Sequence, residues 1–93
     1  MNKEEFKANA NQKIDEIFAK INEVKAKKES VKAASRDKYE ELINELETRK
    51  ADLQSKYDSL MNATDEKWEE VKNAFSSAAD SFREGFSKIS SIF

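Results

Sequence analysis

Carboxylates are the side chains with the most capacity for chemistry in this sequence, which holds 19 Asp and Glu against 17 Lys and Arg. Adjacent pairs stand at Glu40–Glu41 and Glu69–Glu70. A shared proton or a bound metal would need the members of a pair to converge. On a helix, neighbouring residues point about 100° apart, so each pair diverges. There is no His and no Cys, which removes the commonest general base, the thiolate nucleophile and the usual transition-metal ligands. A di-metal carboxylate bundle would want Glu-x-x-His motifs, and these are missing. The single Gly, Gly85, lies inside a helical stripe, so no Gly-rich phosphate loop exists. Its expected role is close packing or a mild flex point. Non-enzymatic function is the expectation, with no catalytic residue, metal, cofactor or small-molecule substrate.

Two clusters remain as candidates for binding. The first is basic. Residues 25–38 contain six Lys or Arg against two acids, and Lys28, Lys32 and Arg36 follow an i, i+4, i+8 spacing. On a continuous helix that is a stripe for phosphate or acidic lipid; the alternative is plain solvated surface or a thin crossover. Net charge of −2 gives no global attraction to nucleic acid, so this is the weaker cluster.

The second is aromatic. Trp68, Val71, Phe75, Ala79, Phe82, Phe86, Ile89 and Phe93 recur at steps of three and four, the period of one helix face. Leu60, Val71, Phe82 and Phe93 are eleven apart, and eleven residues in three turns give a nearly straight stripe. Two occupants fit it. The stripe can pack on other helices, within the chain or between chains. It can also enter a lipid surface, since its opposite side is rich in Ser and modest in charge (Ser76, Ser77, Ser81, Ser87, Ser90, Ser91).

The elements that must position these clusters are helical throughout. With no Pro and one Gly, little in the chain breaks a helix, and the turns a sheet requires are absent. Ala10, Ile14, Ile17, Ile21, Val24 and Val31 form a heptad-type seam, flanked by Phe6 and Phe18. Glu16 with Lys20, and Glu23 with Lys27, are supportive i,i+4 pairs. Tyr39, Leu42, Leu46, Leu53, Tyr57 and Leu60 make a second stripe, with Ile43 and Met61 beside it. Arg49 and Lys56 occupy seam positions there, their stems lying on apolar surface and their charges reaching water. The step from Ser35 to Tyr39 slips the register, as a stutter does. Asn62 or Thr64 can cap a third helix that Asp65, Glu66, Glu69 and Glu70 load with acid.

The stretch Tyr39-Glu40-Glu41-Leu42-Ile43-Asn44-Glu45-Leu46, with Arg49-Lys50 and Leu53, is continued by Asp65-Glu66-Lys67-Trp68-Glu69-Glu70-Val71-Lys72, Ala74-Phe75, Ala78 and Phe82-Arg83-Glu84-Gly85-Phe86. Over residues 36–88 the chain resembles a family of small bacterial coiled-coil proteins that includes cyanobacterial stress-response proteins. The Ser-rich tail departs from that pattern, because such proteins are more charged there. The resemblance implies helical architecture and a link to stress, with no catalytic residues to carry over.

The expected fold is all-α, a single helical domain over residues 1–93, with helices near 3–30, 36–62 and 65–91. Residues 30–35 decide between two antiparallel arrangements. A turn there gives a three-helix bundle. Continuity gives a rod over residues 3–62 that pairs with a second copy as a long-helix hairpin dimer. Good helix formers through the middle, and the small size of a private core, favour the dimeric rod. The expected function is a self-associating structural or interaction protein, with a homodimer as its partner state. The runner-up is a peripheral membrane protein that uses residues 68–93. No signal-like or membrane-spanning apolar run is present, so the expected location is cytoplasmic.

Overall fold

A computed structural model describes residues 2–93. Helix α1 spans Lys3–Ala26, α2 spans Arg36–Met61 and α3 spans Trp68–Ser90, and the three pack side by side in a body of 50 × 17 × 16 Å. The fold is all-α, and α2 runs antiparallel to the other two.

Each helix begins and ends for local reasons. Asn2 caps α1: its Oδ1 accepts the Glu5 backbone N–H at 2.8 Å, while its Nδ2 donates to Glu5 Oε1 at 3.1 Å. Glu4 and Glu5 stand in the first turn and Lys25 in the last, each matching the local end of the helix dipole. At the same end of the bundle as Asn2, Asn62 closes α2, where its side-chain amide donates to the Asp58 carbonyl at 2.9 Å. Helix α3 starts at Trp68, three residues later than the acid-rich run suggests, and has no side-chain cap. Neither Asn62 nor Thr64 serves it.

Residues 27–35 turn, and this is where the favoured rod departs from the structure. Helix α1 stops at Ala26, one short 3-10 turn covers Lys28–Ser30, and a second covers Ala33–Ser35. Between them Val31 (φ −78°, ψ 130°) and Lys32 (φ −63°, ψ 145°) are extended. These are ordinary conformations for any L-residue, so the reversal needs neither Gly nor Pro. Among the described residues none has a positive φ. The turn lets the α1 and α2 seams close on each other within one chain, and Val31, 3% exposed, enters the same core. Tyr39 locks the turn by donating its hydroxyl to the Val24 carbonyl at 3.0 Å. Ser35 does stand at the N-cap position of α2, but its side chain makes no cap hydrogen bond.

The core is one cluster along the bundle axis. Ala10, Ile14, Ile17 and Ile21 come from α1, Tyr39, Leu42, Leu46, Leu53 and Leu60 from α2, and Trp68, Phe75, Ala78, Ala79, Phe82 and Ile89 from α3. Each large apolar side chain buried this way is worth roughly 1.5–3 kcal/mol. Helices α2 and α3 approach most closely, because Ala78 and Gly85 present almost no side chain at their contact. Helix α1 stays farther from α3, with aromatic rings between them: Phe6 meets Trp68 edge-on at 5.7 Å and Phe75 at 6.3 Å. Lysines roof the exposed ring edges, Lys50 over Phe18 at 4.9 Å and Lys3 over Trp68 at 5.4 Å.

Candidate functional site

The aromatic stripe of α3 is mostly spent inside the chain. Trp68, Phe75, Phe82 and Ile89 are buried against α1 and α2, Val71 and Phe86 are half-buried, and Phe93 is 46% exposed. Phe93 rests edge-on against Tyr39 at 6.1 Å, which brings the end of the chain beside the 27–35 turn. The stripe is therefore closed except at Val71, Phe86 and Phe93, and of these Phe86 lines the gap between α1 and α3.

Between α1 and α3 runs a groove of about 710 Å³. Its floor is Ile17, Ala79, Phe82 and Phe86, and its rim carries Lys13, Glu16, Lys20 and Glu23 from α1 with Asp80 and Arg83 from α3. A smaller hollow of about 230 Å³, bounded by Phe6, Ala10 and Phe75, shares Lys13, Ala79 and Asp80 with it and extends it toward the helix N-termini. The groove exists because α1 is held off from α3 while α2 fits tightly. Ring spacers cause the first, and Gly85 and Ala78 cause the second.

The rim's charges are largely without partners. Glu23 pairs with Lys27 at 3.5 Å. The expected pair of Glu16 with Lys20 is not formed, and Lys20 instead lies over the Phe86 ring at 5.6 Å. Among the described residues Lys13, Glu16, Lys20, Asp80 and Arg83 make no ion pair, although ion pairs lace much of the remaining surface, such as Lys56 with Asp52 and Lys88 with Glu84. Chemically, an apolar floor between alternating charges suits an amphipathic helix laid along it. Among the described residues no group of three or more acidic side chains is arranged to hold a metal ion, and no helix is long and apolar enough to cross a membrane.

The three residues of the basic cluster do not share a helix face, since the backbone there is not a helix. Lys28 pairs with Glu40 at 3.2 Å, Lys32 is exposed on extended backbone, and Arg36 is half-buried with its guanidinium donating to the Val31 carbonyl at 3.4 Å. Lys25 is similarly engaged with Glu47. Beside them, burial pushes the Tyr39 phenol above its ordinary pKa, and Glu40 adds to this against the opposing charges of Lys28 and Lys25.

Arg49 also departs from expectation. Its stem lies along the core, but its guanidinium does not simply reach water: it donates to the Ser81 carbonyl of α3 and stands 3.7 Å from Glu45. The rim residues Lys13, Asp80 and Arg83 were not singled out by periodicity, which marks buried positions and is silent on the charges that border them. The available signal was their spacing beside Ile17 and Phe82. No family model, no curated protein and no solved structure matches this chain.

Proposed function

We propose that the protein is a non-enzymatic helical interaction module that self-associates as a homodimer, with the stress-linked role that its resemblance implies. The observation that carries this reading is the α1–α3 groove, where a partly buried Phe86 and five charges that make no ion pair among the described residues form a surface left incomplete by the chain's own helices. Elsewhere a larger share of the charges is paired, although Met61 and Phe93 are also exposed outside the groove. Light scattering of the full chain across a wide concentration range tests it. A mass that rises from one chain to two supports the reading, and a single-chain mass throughout removes self-association.

The lipid reading is the less economical one. Presenting residues 68–93 to a membrane means withdrawing Trp68, Phe75, Phe82 and Ile89 from α1 and α2. At roughly 1.5–3 kcal/mol each, that loss is comparable with the whole 5–15 kcal/mol that typically separates folded from unfolded states. Contact with protein through the existing groove needs no such opening.

A further inference from the structure

We propose that the α1–α3 face, groove and rim together, is covered by a second copy of this chain, laid antiparallel across a twofold axis so that α1 meets α1, α3 meets α3 and the two grooves face each other. This inference rests on the self-association reading and adds the surface and the register.

Charge order along the groove carries it. Read from the N-terminus, the α1 rim is Lys13, Glu16, Lys20, Glu23, alternating positive and negative. Reversed on an antiparallel copy, the same series places Glu23 of the second copy opposite Lys13 and Lys20 of the second copy opposite Glu16. A twofold axis makes every such contact twice. On α3 the rim reads Asp80, Arg83, which reverses onto itself in the same way, Asp80 meeting Arg83 of the second copy. All six rim charges thus acquire an opposite charge from one operation. The matching centre on α1 is residue 18. Lys20 lies over Phe86, so that centre is level with Glu84, two to three residues from the centre of the Asp80–Arg83 pair. At 1.5 Å per residue the two centres lie about 4 Å apart, so a twofold axis midway between them leaves each pair about 4 Å out of register, within the reach of Lys and Arg side chains.

A parallel register, with α1 over α3, would match Lys13 with Asp80 and Glu16 with Arg83. It would leave Lys20 and Glu23 opposite Phe86 and Ile89. The antiparallel register matches more charges and also sets the partly buried Phe86 within about one turn of the axis, where two copies can cover each other's rings. Size is adequate too. The long face of the bundle measures 50 by 17 Å, on the order of the ~800 Å² per partner that stable pairs bury.

Glu16→Lys and Lys20→Glu test the register, because both residues are exposed and neither belongs to the core. Each variant alone sets like charges against each other across the axis. Mixed in equal amounts, the two restore opposite charges at both contacts, an effect that no change within a single helix can produce. Masses are read by light scattering on full chains, with circular dichroism to show that each variant keeps its helices. The expected result is a dimeric wild type, single variants whose dissociation constant rises at least about tenfold, and an equimolar mixture that regains the dimer mass. Asp80→Arg mixed with Arg83→Asp repeats the test on α3 if an α1 variant loses helicity. A dimeric wild type with both single variants equally dimeric overturns this face and leaves self-association standing. Loss in the single variants without recovery in the mixture overturns the antiparallel register. A monomeric wild type overturns both readings, and if that monomer floats with phosphatidylcholine–phosphatidylglycerol vesicles the groove's occupant is lipid.

Discussion

Gly85 packs directly against Leu46: a β-carbon at the glycine position would fall 2.8 Å from Leu46 Cδ2 and 3.3 Å from Arg49 Nη1, so those side chains would have to shift to admit one. Leu46 is fully buried, so any shift it makes is against core neighbours. The contact is what draws α3 onto α2, and Arg49 reinforces it by crossing to the Ser81 carbonyl one turn away. In an exposed helix Gly→Ala would add about 1 kcal/mol of stability. Here overpacking, typically 1–3 kcal/mol, outweighs that gain, so Gly85→Ala destabilises by about 1 kcal/mol. With Leu46→Ala in the background the obstruction is gone and the same change stabilises by about 1 kcal/mol. A denaturant double-mutant cycle reads the sign change, and equal effects in both backgrounds would show that the contact is not tight.

The members of the eleven-residue series differ in burial, so they differ in what truncation costs. Phe82 is 1% exposed and Phe93 is 46% exposed. Phe82→Ala is expected to lose about 3–5 kcal/mol, whereas Phe93→Ala loses little beyond its ring contact with Tyr39, below about 1.5 kcal/mol. Urea midpoints of the two variants provide the comparison. Similar losses would mean that Phe82 and Phe93 do not differ in burial.

Tyr39 gives the protein an alkaline limit at the turn. Its pKa is raised in the folded state by burial first and Glu40 second, so the folded chain holds the phenol proton more firmly than the unfolded chain does. The associated stability is whole below the unfolded value of about 10, and it is lost as pH climbs from there through the folded value. Tyr39→Phe removes the hydrogen bond to Val24, at a cost of about 1 kcal/mol near neutrality, and also removes this titration. The gap between the two proteins should therefore narrow as the pH passes 10. A constant gap in denaturation midpoints across that range would contradict a buried, proton-holding phenol.

Much of the core was legible in the sequence because burial on a helix leaves a period. Ile14, Ile17, Ile21, Leu46, Leu53, Phe75 and Phe82 all lie where three- and four-residue steps put them. Of the two roles expected of Gly85, close packing or a mild flex point, the structure shows close packing. The turn at 27–35 was not legible, since Lys, Ala and Glu are good helix formers and the reversal uses only common backbone conformations. Its cause is tertiary: folding back closes the α1 and α2 seams, with Val31, into one core. The groove was hidden for a related reason. Its existence depends on the unequal distances of α1 and α2 from α3, which the pattern of a single helix does not encode.

Everything said of the groove depends on one chain folding back at residues 27–35 and closing its own core. Ala8→Cys with Ser59→Cys allows this to be measured, because the sequence has no other Cys and both positions are exposed. Tyr57 donates to Asn11 across the same level of the bundle at 3.1 Å, so the two labels sit on neighbouring helices whose axes are typically about 8–10 Å apart. Electron–electron spin resonance on doubly labelled chains, diluted in an excess of unlabelled chains to suppress signal between copies, reads the distance within one chain. The account predicts a separation under roughly 25 Å, neighbouring helices plus two label arms. A separation near 75 Å, about 1.5 Å for each intervening residue of a continuous helix, would contradict it.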